Sequence, residues 1–179
     1  EIRVFGGIKT VEARLPFPIL GLDSDNDSAF INGELLRYCE AKRITFTRCR
    51  PYRKNDQAYV EQKNYSVVRR VIGYARYDTQ EQLELINQVY LYLRLYINFC
   101  LSVMKLVRKE RIGSRVKKWY DEAKTPYRRL LESDTISLKQ KQRLKDQYAQ
   151  INPVKLRKNL NRLLKKLSQT LINERKKNT

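Results

Sequence analysis

Two carboxylates, Asp25 and Glu61, are separated by thirty-five residues in this sequence, and the loop Arg48 to Lys54 between them carries four cations, Arg48, Arg50, Arg53 and Lys54. Carboxylates brought together in space are the ligands that a hard ion such as Mg2+ takes, and nearby guanidinium and ammonium groups attract phosphate. Residue types and order therefore point to metal-assisted chemistry on phosphate esters. The chain has no histidine, and its three cysteines, Cys39, Cys49 and Cys100, are scattered. A His-dependent mechanism and a structural zinc site are excluded, and the cysteines read as reduced packing residues.

The elements that must position these groups emerge from local pattern. The apolar run Pro16 to Leu22 suits a central strand buried on both faces. Asp25 then lies just past its carboxyl end, where open α/β sheets place their sites. Asp23, two residues earlier, shares that face and is the alternative ligand. A plainer reading has both acids merely opening the next helix. That helix has Asn32 as its cap and Leu35, Leu36 and Cys39 as its buried side. A second strand, Ile44 to Thr47, should pair parallel with the first, the helix serving as crossover. The loop Arg48 to Lys54 adds Pro51 and Tyr52, a composition that grips a phosphate backbone and stacks on a base or sugar, although a solvated loop reads the same residue by residue. From Asn55 the pattern is helical, with Val60, Val67, Val68 and Val71 on the apolar side, Glu61 toward the site, Asn64 on nearly the same face, and Gly73 as the stop. Upstream, Glu1 to Gly7 reads as the tail of a helix closed by Gly6-Gly7.

The stretches Asp23-Ser24-Asp25-Asn26, Phe30-Ile31-Asn32, Ile44-Thr45-Phe46-Thr47, Arg50-Pro51-Tyr52, Lys54-Asn55-Asp56-Gln57 and Val60-Glu61-Gln62-Lys63-Asn64, in this order and spacing, resemble the integrase core of the DDE transposases of bacterial insertion sequences, relatives of retroviral integrases. The likeness extends less sharply through Lys124-Thr125-Pro126-Tyr127 to about Leu131. It implies an α/β class, a partial RNase H-like (integrase core) fold followed by an α-helical basic C-terminal region. It implies metal-dependent DNA end cleavage and strand transfer, with Asp25 and Glu61 as catalytic ligands of Mg2+ or Mn2+. In the family a first catalytic Asp precedes these two. Glu1 and Glu12 are the only acids before Asp23 and neither sits in an apolar strand, so the chain reads as a fragment lacking one ligand, inactive by itself. Asp27 stands where the family usually has Gly. The resemblance also implies DNA contacts by Arg48, Arg50, Tyr52, Arg53, Lys54, Gln57, Lys63 and Asn64. Two alternatives are a non-catalytic DNA-binding remnant of a transposase and an RNase H-like nuclease.

Beyond this core, Thr79-Gln80-Glu81-Gln82 is a capping box opening a long amphipathic helix. Its apolar stripe reads as Leu83, Ile86, Tyr90, Leu93, Ile97, Leu101, Met104 and Val107, over seven turns, with Tyr92 and Tyr96 as core or interface residues. Ile112 to Tyr120 is a basic, extended segment with Gly113-Ser114. Thr125-Pro126 starts a short helix, Ser137 caps another, and Asn152-Pro153 caps the last. These two final helices form a hairpin. In the last, Leu156, Leu160, Leu163, Leu164, Leu167 and Leu171 make one stripe, while Lys155, Lys158, Arg162 and Lys165 lie on the other side to meet phosphates. The organisation expected is an integrase-core portion over 1–77, a long helix and basic connector over 78–136, and a basic helical hairpin over 137–179.

Charge supports a polyanionic partner. The chain carries 38 Lys and Arg against 19 Asp and Glu, net +19. Residues 105–179 hold 23 basic and 7 acidic side chains, so the excess sits in the C-terminal part. DNA, as transposon ends and target, is the partner expected, with self-association; no run reaches the roughly 20 apolar residues of a membrane span. The place expected is the bacterial cytoplasm, at the nucleoid.

Overall fold

The computed structural model describes residues 2–24, 33–50 and 58–177. It is a mixed helix and strand structure in two units, Glu1–Tyr74 and Ala75–Thr179.

The first unit opens on α1, Ile2–Arg14, which runs through Gly6-Gly7 instead of ending there. The reason is packing. Phe5 and Ile8 lie against the core formed by Leu35, Cys39 and Ile44, together with Ile19, Leu22, Tyr38 and Phe46. One turn further on, Glu12 accepts hydrogen bonds from the Tyr38 hydroxyl and, at 2.5 Å, from Lys42 Nζ. Both ends of the helix are thus tied to one neighbour, while the glycines face outward. Tertiary contacts override the local cost of glycine in a helix.

Helix α2, Gly33–Ala41, buries Leu35 and Cys39 but leaves Leu36 41% exposed, narrowing the expected stripe. It ends in a Schellman arrangement, with Ile44 N donating to Cys39 O and Arg43 N donating to Glu40 O. Arg43 occupies the left-handed position at φ 55°. The reversal delivers Ile44 to the core and starts β2, Thr45–Arg48. β2 pairs parallel with β1, Gly21–Ser24, in the register Leu22 to Phe46 and Asp23 to Thr47. The parallel neighbours expected from the sequence are present, with strand limits moved toward the carboxyl end. The doubly buried central strand is not, because the described residues give β1 a neighbour on one side only and Leu20 is 77% exposed. A third segment comprises α3, Ala58–Lys63, a π-helical stretch Asn64–Arg69, and α4, Arg70–Ile72, closed by Gly73 at φ 77°.

In the second unit, α5 spans Gln80–Cys100 and starts with the expected capping box. Thr79 Oγ1 accepts from Gln82 N at 3.3 Å, and Gln82 Oε1 accepts from Thr79 N at 3.1 Å. Its buried face is Gln82, Leu85, Val89, Leu93 and Phe99, not the stripe led by Leu83, which is 51% exposed. The helix stops at Cys100, so Met104 and Val107 lie outside it. Val107 belongs instead to a β-hairpin, β3 Leu106–Ile112 and β4 Arg115–Tyr120, turning at Gly113-Ser114. Three helices complete the unit: α6, Pro126–Glu132, α7, Leu138–Ala149, and α8, Pro153–Lys177. Their caps are the expected Thr125, Ser137 and Asn152. The long α8 packs along α5, antiparallel to it: Gln82 Nε2 donates to Thr170 Oγ1 at 3.4 Å near one end, and Arg157 lies over the Tyr96 ring, 5.6 Å from its centroid, near the other. The expected hairpin partner α7 precedes α8 by a short turn at Gln150 to Asn152, and the extensive contact of α8 is with α5. The α8 leucines find a longer apolar face on α5, while α7 buries only Leu144. Phe99, Tyr127 and Tyr148 stack where α5, α6 and α7 meet. Among the described residues no helix is long and apolar enough to cross a membrane.

Candidate nucleic-acid interface

The carboxyl ends of β1 and β2 are the first candidate place. Ser24 ends β1 opposite Arg48, which ends β2. Arg48 and Arg50 are exposed there, flanking the buried Cys49, whose amide donates to Ser24 O at 3.0 Å. Asp23, the alternative ligand, is taken up by its neighbour strand: its Oδ1 accepts from Thr47 Oγ1 at 2.8 Å. The Ser24 hydroxyl is buried without a partner among the described residues. Asp25, Tyr52, Arg53, Lys54 and Gln57 lie outside the described residues. So does the expected approach of Asp25 to Glu61.

Glu61 and Lys63 are exposed on α3, and Asn64, also exposed, begins the π-helical stretch. Here the hydrogen bonds lengthen to i→i+5, so the residues that follow Asn64 drift from the α-helical wheel that includes Glu61. Glu12 is not a substitute for a missing acid: Lys42 and the Tyr38 hydroxyl hold its carboxyl below the usual range, as a tie between α1 and α2. Among the described residues no three His, Cys, Asp or Glu side chains stand together as a metal site, so these residues by themselves do not fit a two-ion centre.

The second candidate place is cationic. On α8, Lys155, Lys158, Arg162 and Lys165 are all exposed. With 3.6 residues per turn they fall on one side of the helix, opposite the buried Leu156, Leu160, Leu163 and Leu167. The sequence reading of this face holds in geometry. It missed a further one. The hairpin β3–β4 carries Arg108, Lys109, Arg111, Arg115, Lys117 and Lys118, all exposed, and it is fixed at its base. There Asp121 accepts from Lys105 N at 2.6 Å and from both terminal nitrogens of Arg129, at 2.6 and 3.1 Å. The same guanidinium donates to Val103 O at 2.8 Å, and Val103 bridges to Lys124 across the strands' lower end. The Arg129 guanidinium, with the Lys105 amide, draws the Asp121 carboxyl down to about 2. The two-residue Gly113-Ser114 turn between two basic segments, the second ending in Trp119-Tyr120, was the signal available for this hairpin.

A protein of Sinorhizobium fredii (strain NBRC 101917 / NGR234), described as uncharacterized protein y4rM, is 42% identical to this chain over 126 residues, 70% of the chain and 36% of that protein. The chain therefore spans about a third of the length of the relative it matches. No family model matches, and no solved structure matches.

Proposed function

We propose that the chain is part of a DDE-type transposase: a portion of its integrase core, joined to a basic helical region that holds DNA. The observation that carries this reading is the parallel unit β1–α2–β2, with Asp23-Ser24 at the end of β1, Asp25-Asn26 next in sequence, and the Glu61 helix coming after β2. That is the order of elements the RNase H-like core requires. The cationic faces of the second unit give the reading its DNA partner, since phosphates are met by Lys and Arg on a rigid surface. The cofactor in this reading is Mg2+ or Mn2+, with Asp25 and Glu61 among its ligands and a further Asp from outside this sequence. Because the described residues do not assemble that centre, what they supply themselves is the binding and orientation of DNA.

The test uses the chain, alone and joined to an upstream segment that carries a catalytic Asp, and a labelled duplex carrying the element's end. Metal-dependent nicking and strand transfer are expected of the joined form, abolished in Asp25→Asn and in Glu61→Gln with DNA affinity retained. Cleavage that survives in Glu61→Gln would leave Glu61 as an ordinary surface residue and end this reading. A second reading, a non-catalytic DNA-binding remnant, is favoured by the exposed cations of α8 and of the β3–β4 hairpin, which need no metal to hold a duplex. It predicts duplex binding without cleavage under any divalent ion. An RNase H-like nuclease would instead cut without joining ends.

A further inference from the structure

The two faces of the β3–β4 hairpin differ. Register puts Arg108 opposite Trp119, Glu110 opposite Lys117 and Ile112 opposite Arg115, which share one face because side chains alternate along a strand. That face satisfies much of its own charge. Arg108 Nη2 donates to Glu110 Oε2 at 2.8 Å, and Arg108 and Lys117 lie over the Trp119 ring at 4.8 and 5.0 Å from its centroid. The other face pairs Lys109 with Lys118 and Arg111 with Val116. It has three cations and no carboxylate.

Like charges directly opposite one another weaken a β-ladder, and a two-stranded hairpin is marginal in water even without that penalty. This one projects no buried core, yet it is anchored at its root by Arg129 and Asp121. Its Gly113 takes a positive φ of 61°, the requirement of a type II′ turn, so the strands run in unbroken register from the turn to Arg108, beyond which the register shifts. A fixed ribbon that keeps Lys109 against Lys118 is a surface whose repulsion a polyanion relieves more fully than mobile counterions do.

We propose that the face bearing Lys109, Arg111 and Lys118 seats the phosphate backbone of duplex DNA, as a second grip separate from α8. The choice of DNA rests on the transposase reading; the choice of face rests on the hairpin. Contacts to phosphates carry no direct sequence information, so the ribbon's contribution is independent of sequence.

The experiment measures binding of the full chain to a fluorescent random-sequence duplex by anisotropy across a salt series. Lys109→Ala/Arg111→Ala/Lys118→Ala should lower the slope of log K against log salt by about 2 to 3, at about 0.9 per lost phosphate contact, and weaken binding at least tenfold at low salt. Arg115→Ala/Lys117→Ala, on the opposite face, should change the slope by less than about 1. The Gln versions of the three substitutions serve if the Ala chain melts early, and Arg111→Lys should retain most of the slope. Equal losses per cation from the two faces overturn the proposal, as does a triple variant that binds duplex normally but no longer binds single-stranded RNA. A chain whose binding is untouched by the triple variant but lost on neutralising α8 also overturns it while leaving DNA as partner. An unmodified chain that binds no duplex overturns both readings.

Discussion

Gly6 and Gly7 lie in the middle of α1, face outward, and leave open space where a side chain would stand. Glycine in a helix interior costs about 0.5–1 kcal/mol relative to alanine through the freedom it loses on folding. Gly6→Ala and Gly7→Ala should each raise unfolding free energy by about that amount, read as a higher denaturant midpoint with unchanged m-value. A loss of stability would mean that the helix is broken there. As a stop signal the glycine pair misled, because a local rule competed with the anchoring of Phe5, Ile8 and Glu12 on α2, which no local window contains. The caps were legible for the opposite reason. Thr79 with Gln82, Ser137 with Gln140, and Asn152 before Pro153 each make their bonds within three residues. Arg43, forced to φ 55° by the Schellman turn, left no sequence signal, since glycine or asparagine usually occupies that place.

Among the elements, the hairpin depends most visibly on one pair. Asp121 joins Lys105 at the foot of β3 to Arg129 on α6. Its carboxyl titrates at about 2 in the folded chain against 3.8 ordinarily, so the unfolded chain binds more protons in between. The stabilisation is therefore fully present above about pH 4 and is lost as pH falls through about 2. Thermal melts from about pH 7 downward should show the unmodified chain losing stability below about pH 4 more steeply than Asp121→Asn. Parallel curves would show that the pair is not a stabilising tie. The hairpin escaped detection as such because strands without a buried face carry no period-2 alternation. The α5 stripe was misassigned for a related reason: Leu83, Leu91 and Leu95 give this helix apolar residues on more than one side, and only the partner α8 selects Leu85, Val89 and Leu93. The π-helical stretch after Glu61 is likewise invisible, since Val67, Val68 and Val71 fit an α-helical wheel equally well.

At the scale of the whole chain, α8 has two duties on opposite sides, a leucine side against α5 and a cationic side toward solvent. Removing it would uncover α5, so the DNA role is tested by charge alone. Lys155→Ala/Lys158→Ala/Arg162→Ala/Lys165→Ala should keep the melting temperature within a few degrees, as surface changes do, and lower the salt slope of duplex binding by about 3. An unchanged slope would assign α8 to packing only. The parallel pairing of β1 and β2 was readable from the apolar runs and the helix between them, whereas the expected approach of Asp25 to Glu61 falls outside the described residues. That same pairing has a practical consequence. Among the described residues each of the two strands has one side without a ladder partner, and next to β1 stands Leu20, 77% exposed. Open strand edges recruit the edges of other copies, so the chain expressed alone should scatter light increasingly with concentration and age. A lysine there blunts the edge without touching the Leu20 carbonyl that receives the Thr45 amide at 2.9 Å. Leu20→Lys should stay clear at concentrations where the unmodified chain turns cloudy, making it the better starting material for every binding measurement above.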